Sequence, residues 1–226
     1  GVGVVLLGGL PVESLDTLTI ATIYWGIGLH LGTPQPNNPE GDVLGHVTDL
    51  GKSRQDPTSR GYQTRELMDY HCDQSAIVGL MCVRTAKSGG VSRITSSLSM
   101  YNTLLERYPH YAQVLSEPMH WTKHGEMAVG AHPWYDSPVF NFDEGRLSVA
   151  FGPIHIIKGH NLPGSEPLPE INLEALRAAE KIADEQAISM EFRPGDMQFL
   201  NNFTMLHTRT AYVDWLEPER KRLLWR

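Results

Sequence analysis

The feature that most restricts the fold of this chain is a series of short apolar runs, each closed by a turn rich in glycine or proline. The clearest is Ile77–Arg84, a continuous apolar stretch that ends in a Gly-Gly turn, and Met197–Asn201 follows a Pro-Gly-Asp turn. Runs of this length and spacing indicate strands. Further strands are expected at residues 1–7, 43–47, 91–95, 138–142, 146–151, 188–192 and 223–225. The pattern predicts a mostly β fold with flanking helices, built on either a jelly-roll or a barrel-like sheet.

Helical periodicity is confined to a few segments between these strands. Residues 11–31 predict a helix that ends at Gly32, and residues 173–188 predict one capped by Asn172. A third helix is expected to begin at Ser96 or Ser97, with its inner face formed by Leu98, Tyr101, Leu104 and Leu105. A short turn or helix is expected over residues 109–115, and the segments 33–60 and 155–169 are expected to be loops. The chain is interpreted as one domain, 1–226, that lacks a segment before its first strand.

Charge and composition exclude several functional classes. The net charge is -7 with no block of Lys or Arg, so nucleic acid is not an expected partner. No apolar run approaches the roughly 20 residues of a membrane helix, so no membrane partner is expected. Two cysteines, Cys72 and Cys82, exclude a disulfide framework and favour a reducing, cytoplasmic setting.

The tripeptide His71-Cys72-Asp73 carries the first indication of chemistry. If it begins a strand, the side chains of His71 and Asp73 lie on the same face, and a neutral imidazole and a carboxylate can bind one cation together. A third ligand from a distant strand would give the two-His, one-carboxylate set of non-haem Fe(II) oxygenases. The tripeptide alone is weak evidence for a metal site, because such His-x-Asp pairs also occur by chance on protein surfaces. His120 and His124, four residues apart, are a lesser metal candidate if their segment is helical.

The C-terminal part of the chain supplies the partners that make the tripeptide meaningful. His207 lies in the run from Asn201, and Arg222 and Arg226 follow it. A guanidinium group binds a carboxylate through two parallel hydrogen bonds, so an Arg beside an iron site suits a dicarboxylate that also chelates the metal. Taken alone, the two arginines would be interpreted as an exposed charged strand face.

Together these residues resemble the taurine dioxygenase family of Fe(II)- and 2-oxoglutarate-dependent oxygenases. The resemblance runs through YHCDQS, LMCVRTAKSGGVSRITSS, LLERYP, FRPGDMQFLNN, LHTRTAY and RKRLLWR. It implies that His71, Asp73 and His207 bind iron and that Arg222 binds the distal carboxylate of 2-oxoglutarate. It also implies that Ser92, at a position usually occupied by Thr, assists with its hydroxyl, and that Arg226 touches the substrate or its carboxylate.

The resemblance also implies the fold, mostly β with flanking helices around a double-stranded β-helix (jelly-roll, cupin-like) core, and the reaction. Fe(II), 2-oxoglutarate and O2 would oxidise, most simply hydroxylate, an unactivated C–H bond of a small polar, amino-acid-like or natural-product substrate, with release of succinate and CO2. A carboxylate at Asp73 argues against halogenation. Desaturation or ring formation by the same iron stays open, as does a non-catalytic cupin-like binding module. Relatives are often oligomers, so a homo-oligomer stays open too.

The substrate is expected over the metal, beneath segments 33–60 and 121–138. Candidate wall residues are Tyr62, Arg65, Trp134 and Asn202. Cys72 is expected to point away from the metal by strand alternation.

Overall fold

The computed structural model describes residues 2–38, 40–53, 59–128 and 130–226. The strands in these residues are β1 (Val4–Leu7), β2 (His46–Val47), β3 (Ile77–Arg84), β4 (Ser88–Gly89), β5 (Ser92–Ser96), β6 (Met119–Thr122), β7 (Trp134–Ser137), β8 (Phe140–Asp143), β9 (Arg146–Val149), β10 (Ile188–Met190), β11 (Met197–Asn201), β12 (Met205–Arg209), β13 (Tyr212–Val213) and β14 (Leu223–Trp225). The α-helices are α1 (Thr17–Leu31), α2 (Ser97–Arg107), α3 (Pro109–Val114), α4 (Pro153–His160) and α5 (Glu170–Glu185). Of the expected segments, Gly1, Pro39, residues 54–58 and Val129 lie outside the described residues.

The larger sheet is antiparallel throughout, in the order β1-β11-β3-β14-β2. β3 lies at its centre and is covered on both faces. Met81 packs with Ile20 and Tyr24 of α1 on one face, whereas Val78 packs with Ile94 on the other. Coverage on both faces explains why this strand reads as a continuous apolar run.

The smaller sheet, in the order β10-β5-β12, stacks on the face of the larger sheet that is opposite α1. Val78 and Leu200 of the larger sheet meet Ile94 and Met205 of the smaller one in a buried cluster. Two stacked antiparallel sheets form the predicted jelly-roll core, and the fold class is therefore confirmed. β12 was not expected, because all five of its residues are buried and its apolar and polar side chains do not alternate.

Helices α2, α3 and α5 pack together outside this core. Met100 and Leu104 of α2 and Leu176 of α5 belong to one large apolar cluster that also contains Phe140 and Phe151. This layer supports the smaller sheet, which carries His207 on β12.

Several helix boundaries and faces differ from the expectation. α1 begins at Thr17 rather than residue 11, because the Asp16 carboxylate accepts a hydrogen bond from the backbone N–H of Thr19 (2.9 Å) and caps the helix there. α5 begins at Glu170, directly after Pro169, so Asn172 lies inside the helix and is not its cap.

The expected inner face of α2 was wrong in part. Leu98 and Leu105 are exposed, whereas Leu104 is buried and Tyr101 packs partly buried against the large apolar cluster, as expected. The helix also buries Ser97 and Met100. Residues 155–160 were expected to be loop but belong to α4, whose first turn is started by Pro153.

Within the described residues, no helix has both the length and the apolar character needed to span a membrane. The cytoplasmic location stays a prediction.

Candidate metal centre and adjoining cavity

His71 is held at the edge of the smaller sheet by a single β-bridge to His207. The two backbones exchange both hydrogen bonds, at 3.0 and 2.9 Å. The tripeptide does not begin a regular strand as expected, because the next strand, β3, starts only at Ile77. The Nδ1–H of His71 donates to the carbonyl of Asp69 (2.9 Å), which leaves Nε2 with a lone pair for a metal ion.

Asp73 is positioned by Asn202, the residue that follows β11. The backbone N–H of Asp73 donates to Oδ1 of Asn202 (3.1 Å), and the Asn202 amide donates to the carbonyl of Ser75 (2.8 Å). Asn202 is 3% exposed, and its side chain contacts the backbone of Asp73. Asn202 therefore holds the segment that carries Asp73, and it also lines the adjoining cavity, as expected.

Cys72, between these two residues, lines the adjoining cavity but does not join the converging side chains of His71, Asp73 and His207. It packs against the large helical cluster, and its thiol lies 3.5 Å from the carbonyl oxygen of Val149. This confirms its expected orientation and its packing role.

The side chains of His71, Asp73 and His207 converge. One ligand atom from each lies within 4.8 Å of the others, which suits the binding of one cation. The Asp73 Oδ2 atom is buried, lies 3.6 Å from Nε2 of His207, and accepts no hydrogen bond from any described residue. A buried carboxylate oxygen without a donor is costly unless a cation neutralises it, so the three residues fit a metal ion.

The electrostatics of the cluster favour ligand-competent protonation states. Burial raises the pKa of the Asp73 carboxyl, but Arg226 and the two nearby imidazoles outweigh burial and lower it to about 2. Burial, followed by the charge on His71, lowers the pKa of His207 to about 3. At neutral pH the cluster therefore presents a carboxylate and a neutral His207 imidazole, the forms that bind metals.

Arg226, the residue after β14, contacts the same carboxylate. Its Nη1 atom lies 3.2 Å from Oδ1 of Asp73, and its Nε–H donates to Oδ1 of Asn37 (2.8 Å). The guanidinium also lies over the ring of Tyr62, 5.1 Å from its centroid. Arg226 thus ties the segment around Asn37, which sequence reasoning did not single out, to the candidate metal centre.

Arg222 lies at the other end of β14 and does not contact the three converging residues. It is 6% exposed, and its Nη1 has no hydrogen-bond partner among the described residues. The turn before β5 approaches it closely, since a Cβ added at Gly90 would lie 3.2 Å from Nε of Arg222. Gly90 has a φ of +73°, so both the space and the backbone favour glycine here. A buried guanidinium with one nitrogen left unpaired is suited to a carboxylate ligand.

Ser92 is buried at the start of β5. It pairs with Arg209 of β12, while Ile94 pairs with His207. Directly opposed residues share a sheet face, so the backbone register puts Ser92 on the same face as His207, one diagonal step away. Ser92 therefore lies two residues beyond Gly90, on the sheet face that carries His207.

An open cavity of about 1270 Å³ adjoins the cluster and is lined by His71, Asp73 and Arg226. Segments 33–60 and 121–138, expected to cover the substrate, both contribute walls where they are described. Tyr62 lines the cavity as expected. Arg65 is exposed and does not line the cavity. Trp134 does not line it either, and its ring stacks on that of His120 with centroids 5.0 Å apart.

The lesser metal candidate, His120 with His124, was wrong. His120 lies on strand β6 and His124 in the turn after it, so the pair does not share a helix face. Nδ1 of His120 lies 2.6 Å from Oγ of Ser165. His124 pairs with His155 on the cavity wall, and sequence reasoning gave no signal for this pair because the two residues belong to separate elements.

A family model described as "Taurine catabolism dioxygenase TauD, TfdA family" matches residues 1–226. The chain belongs to this family. The resemblance deduced from the sequence motifs is confirmed. Oxygenases of the TauD/TfdA family use Fe(II), 2-oxoglutarate and O2, and the buried Oδ2 atom of Asp73, which has no donor among the described residues, fits such a metal.

Two curated proteins are similar over nearly the whole chain. FR-33289 synthase of Streptomyces rubellomurinus is 34% identical over 95% of this chain and 64% of its own length. Taurine hydroxylase-like protein SAT17 of Stachybotrys chartarum is 27% identical over 93% of this chain and 56% of its own. The chain therefore spans less than two thirds of the length of these relatives.

Solved structures share the fold. Asparagine oxygenase in complex with Fe(II), 2S,3S-3-hydroxyasparagine and succinate has a TM-score of 0.76 at 18% identity, over 99% of this chain and 73% of that one. The non-heme iron oxygenase OrfP in complex with Fe and alpha-ketoglutaric acid has a TM-score of 0.64 at 14% identity, over 99% and 73%.

Proposed function

We propose that this TauD/TfdA-family protein is an Fe(II)- and 2-oxoglutarate-dependent dioxygenase that hydroxylates an unactivated C–H bond of a small polar substrate. The single observation that carries the proposal is the convergence of His71, Asp73 and His207 around a buried carboxylate oxygen without a donor. Two imidazoles and one carboxylate with open positions are the ligands of non-haem Fe(II) oxygenases.

In this proposal the three residues would hold the iron. His71 and His207 would ligate through Nε2, since Nδ1 of His71 is used by Asp69 and Nε2 of His207 faces Asp73. When bound, iron with 2-oxoglutarate and O2 supplies the oxidising power for C–H cleavage, and 2-oxoglutarate leaves as succinate and CO2. Asp73 occupies the position that halogenases leave open, which supports oxygen insertion rather than halogenation.

The distal carboxylate of 2-oxoglutarate is assigned to Arg222, with the hydroxyl of Ser92 beside it. The unpaired Nη1 of Arg222 supports this assignment, because a buried guanidinium gains most from a bidentate carboxylate partner. Arg226 orients Asp73 through its 3.2 Å contact and presents its charge to the cavity, where it can meet the substrate or the co-substrate.

A small polar or amino-acid-like substrate is the best match to the cavity beside these residues. Its walls combine aromatic side chains, Trp121 and Tyr135, with amides such as Gln74 and Asn141. The hydroxylated amino acids named with asparagine oxygenase and OrfP support this class.

Succinate formation tests the proposal directly. The purified chain, supplied with Fe(II), ascorbate and 2-oxoglutarate, should release succinate, slowly alone and faster with a true substrate. Asp73→Ala and His207→Ala should lose both iron binding and succinate, because two ligands hold the ion poorly. The exposed His110→Ala is the control and should behave as the wild type.

The outcomes separate the alternatives. Full iron-dependent succinate production by Asp73→Ala would refute the ligand assignment. Iron binding without any succinate would indicate a non-catalytic binding module. A product heavier by one oxygen atom supports hydroxylation, whereas one lighter by two hydrogen atoms indicates desaturation or ring closure.

A further inference from the structure

Two histidines outside the metal centre form a hydrogen-bonded pair on the cavity wall. Nε2 of His124 lies 2.6 Å from Nδ1 of His155, and the two rings are nearly perpendicular, at 89°. His124 follows β6 and His155 lies in the first turn of α4, so two separate elements hold the pair. The mechanism proposed above uses neither residue.

The backbone around His124 is unusual for a residue with a side chain. Its φ is +53°, in the left-handed region, and its N–H donates to Oγ1 of Thr122 (3.0 Å). Such conformations occur mainly where surrounding structure enforces them, and they concentrate at functional sites. The conformation aims the imidazole at His155 rather than at solvent.

The surroundings of His124 decide which nitrogens carry hydrogen. Its Nδ1 atom is buried and has no partner among the described residues, and a buried N–H without an acceptor is rarer than a buried lone pair. The hydrogen of His124 therefore resides on Nε2 and is donated to Nδ1 of His155. Since Nδ1 of His155 accepts, its own hydrogen resides on Nε2.

The Nε2–H of His155 is available to a molecule in the cavity. No described residue forms a hydrogen bond with it, whereas Nδ1 is occupied by His124. Burial is the largest cause that lowers the pKa of His155 to about 3, followed by His124, His71 and Lys158, whereas Asp73 acts in the opposite direction. His155 is therefore neutral at pH 7 and lies within electrostatic range of the candidate metal ligands.

We propose that His155 is a substrate-binding residue whose Nε2–H donates a hydrogen bond to an anionic oxygen of the substrate, a carboxylate-type group, and that His124 is a positioning residue that fixes its tautomer. This inference rests on the proposed function, because it takes the cavity beside the metal centre as the substrate site. It narrows the substrate class to molecules that bear such an acid group within reach of α4.

The charges around the pair favour an anion over a neutral group. Arg60 and Lys158 both lower the pKa of His124, after the larger effect of burial, whereas Glu126, the ion-pair partner of Arg60, raises it by the smallest of these effects. Lys158 also acts on His155 in the same direction. A neutral donor in a positive, partly buried setting binds a carboxylate more strongly than the corresponding amide.

The tautomers can be observed directly. Proton–nitrogen correlation spectra of the metal-free chain labelled with nitrogen-15 histidine should show the hydrogen on Nε2 in both His124 and His155. His124→Gly keeps the left-handed backbone without strain and removes the partner ring. In this variant His155 should exchange between its two tautomers. A hydrogen on Nδ1 of His155 in the wild type would overturn the inference.

Binding is tested with propionate and its neutral counterpart propionamide, by calorimetry and in the same spectra. Propionate should shift the Nε2 signal of His155 saturably and bind about tenfold or more tightly than propionamide. His155→Leu should lose that preference, His155→Gln should keep it because its amide is a donor at a similar position, and the exposed His110→Leu should match the wild type. Equal binding of the two probes by the wild type, or unchanged propionate affinity in His155→Leu, would contradict the inference.

Failure here is distinguishable from failure of the dioxygenase proposal. The histidine spectra and the propionate titration need neither iron nor turnover. A chain that forms succinate but fails these tests keeps the dioxygenase proposal and loses the role of His155. A chain that passes these tests without ever forming succinate keeps the role of His155 and loses the dioxygenase proposal.

Discussion

At the scale of single residues, Arg222 is expected to destabilise the protein without 2-oxoglutarate and to stabilise its complex with 2-oxoglutarate. Its guanidinium is buried and only partly paired, and burial is the main effect that lowers its pKa. Replacing a buried, unpaired charge by an apolar side chain is often neutral or stabilising. We therefore expect Arg222→Met to unfold at the same or a higher temperature than the wild type, while its affinity for 2-oxoglutarate falls by at least about tenfold.

Calorimetric titration of 2-oxoglutarate into the anaerobic Fe(II) protein checks the affinity, and thermal unfolding of the metal-free protein checks the stability. Arg220→Met is the matched control, since Arg220 lies over the ring of Trp215 and is exposed. Unchanged 2-oxoglutarate affinity in Arg222→Met would remove the residue from the co-substrate site.

Asn202 illustrates a residue that acts only through another. Asn202→Ala leaves the buried backbone N–H of Asp73 and the carbonyl of Ser75 without their partner. We expect a loss of about 1–3 kcal/mol in the free energy of unfolding. Metal affinity should fall roughly 10- to 100-fold, as is common when the support of a ligand is removed.

Denaturant unfolding and Co(II) titration measure the two effects of Asn202→Ala. The neighbouring Asn201→Ala removes a bond to the backbone of Phe203 and serves as the control. Wild-type metal affinity in Asn202→Ala would show that Asp73 holds its position without this amide.

At the scale of secondary-structure elements, the packing of α4 on β6 positions His155 beside the cavity. Gly159 of α4 lies so close to β6 that an added Cβ would overlap the carbonyl oxygen of His120. Gly→Ala inside a helix normally stabilises by up to about 1 kcal/mol. Here we expect the opposite sign, a destabilisation of about 1–3 kcal/mol, because the helix must move away from the strand.

Gly28→Ala in α1 is the matched control for Gly159→Ala, since the space around that position is open. The free energy of unfolding of Gly28→Ala should equal or exceed that of the wild type. If both alanine variants were stabilised alike, the close approach of α4 to β6 would be wrong.

Element-level prediction from the sequence succeeded where one signal dominated. β3 was recognised with its exact bounds because a long apolar run between turns has few alternatives. α2 began where expected, at Ser97 after the Ser96 cap, and Leu104 is buried as expected, but the buried Ser97 and Met100 were missed. Leu98 and Leu105 are apolar yet exposed, and hydrophobicity alone cannot separate such positions from the core.

At the scale of the whole molecule, the candidate site is assembled from distant segments. The family motifs identified His71, Asp73 and His207 as candidates from the sequence. They did not reveal that Asn202 supports Asp73 or that His124 pairs with His155, because those contacts arise only when β11, β6 and α4 are brought together. Contacts of this kind carry no local periodicity and lie outside the reach of pattern reasoning.

Because the three candidate ligands lie far apart in the sequence, we expect metal binding to stabilise the whole fold. His71 and Asp73 lie more than a hundred residues from His207, so an unfolded chain cannot hold the three ligands together. A ligand present at 100 times its dissociation constant adds about 2.7 kcal/mol to the native state. For a domain of this size that corresponds to roughly 5–11 °C in Tm.

Anaerobic thermal unfolding with and without excess Fe(II) measures this shift. Asp73→Ala should abolish it, whereas Asp214→Ala should retain it, because Asp214 caps backbone N–H groups near Arg222 and belongs to no ligand set. An iron-dependent shift that survived in Asp73→Ala would mean that the metal binds elsewhere. In that case the convergence of the three side chains would reflect packing of the two sheets and not a metal centre.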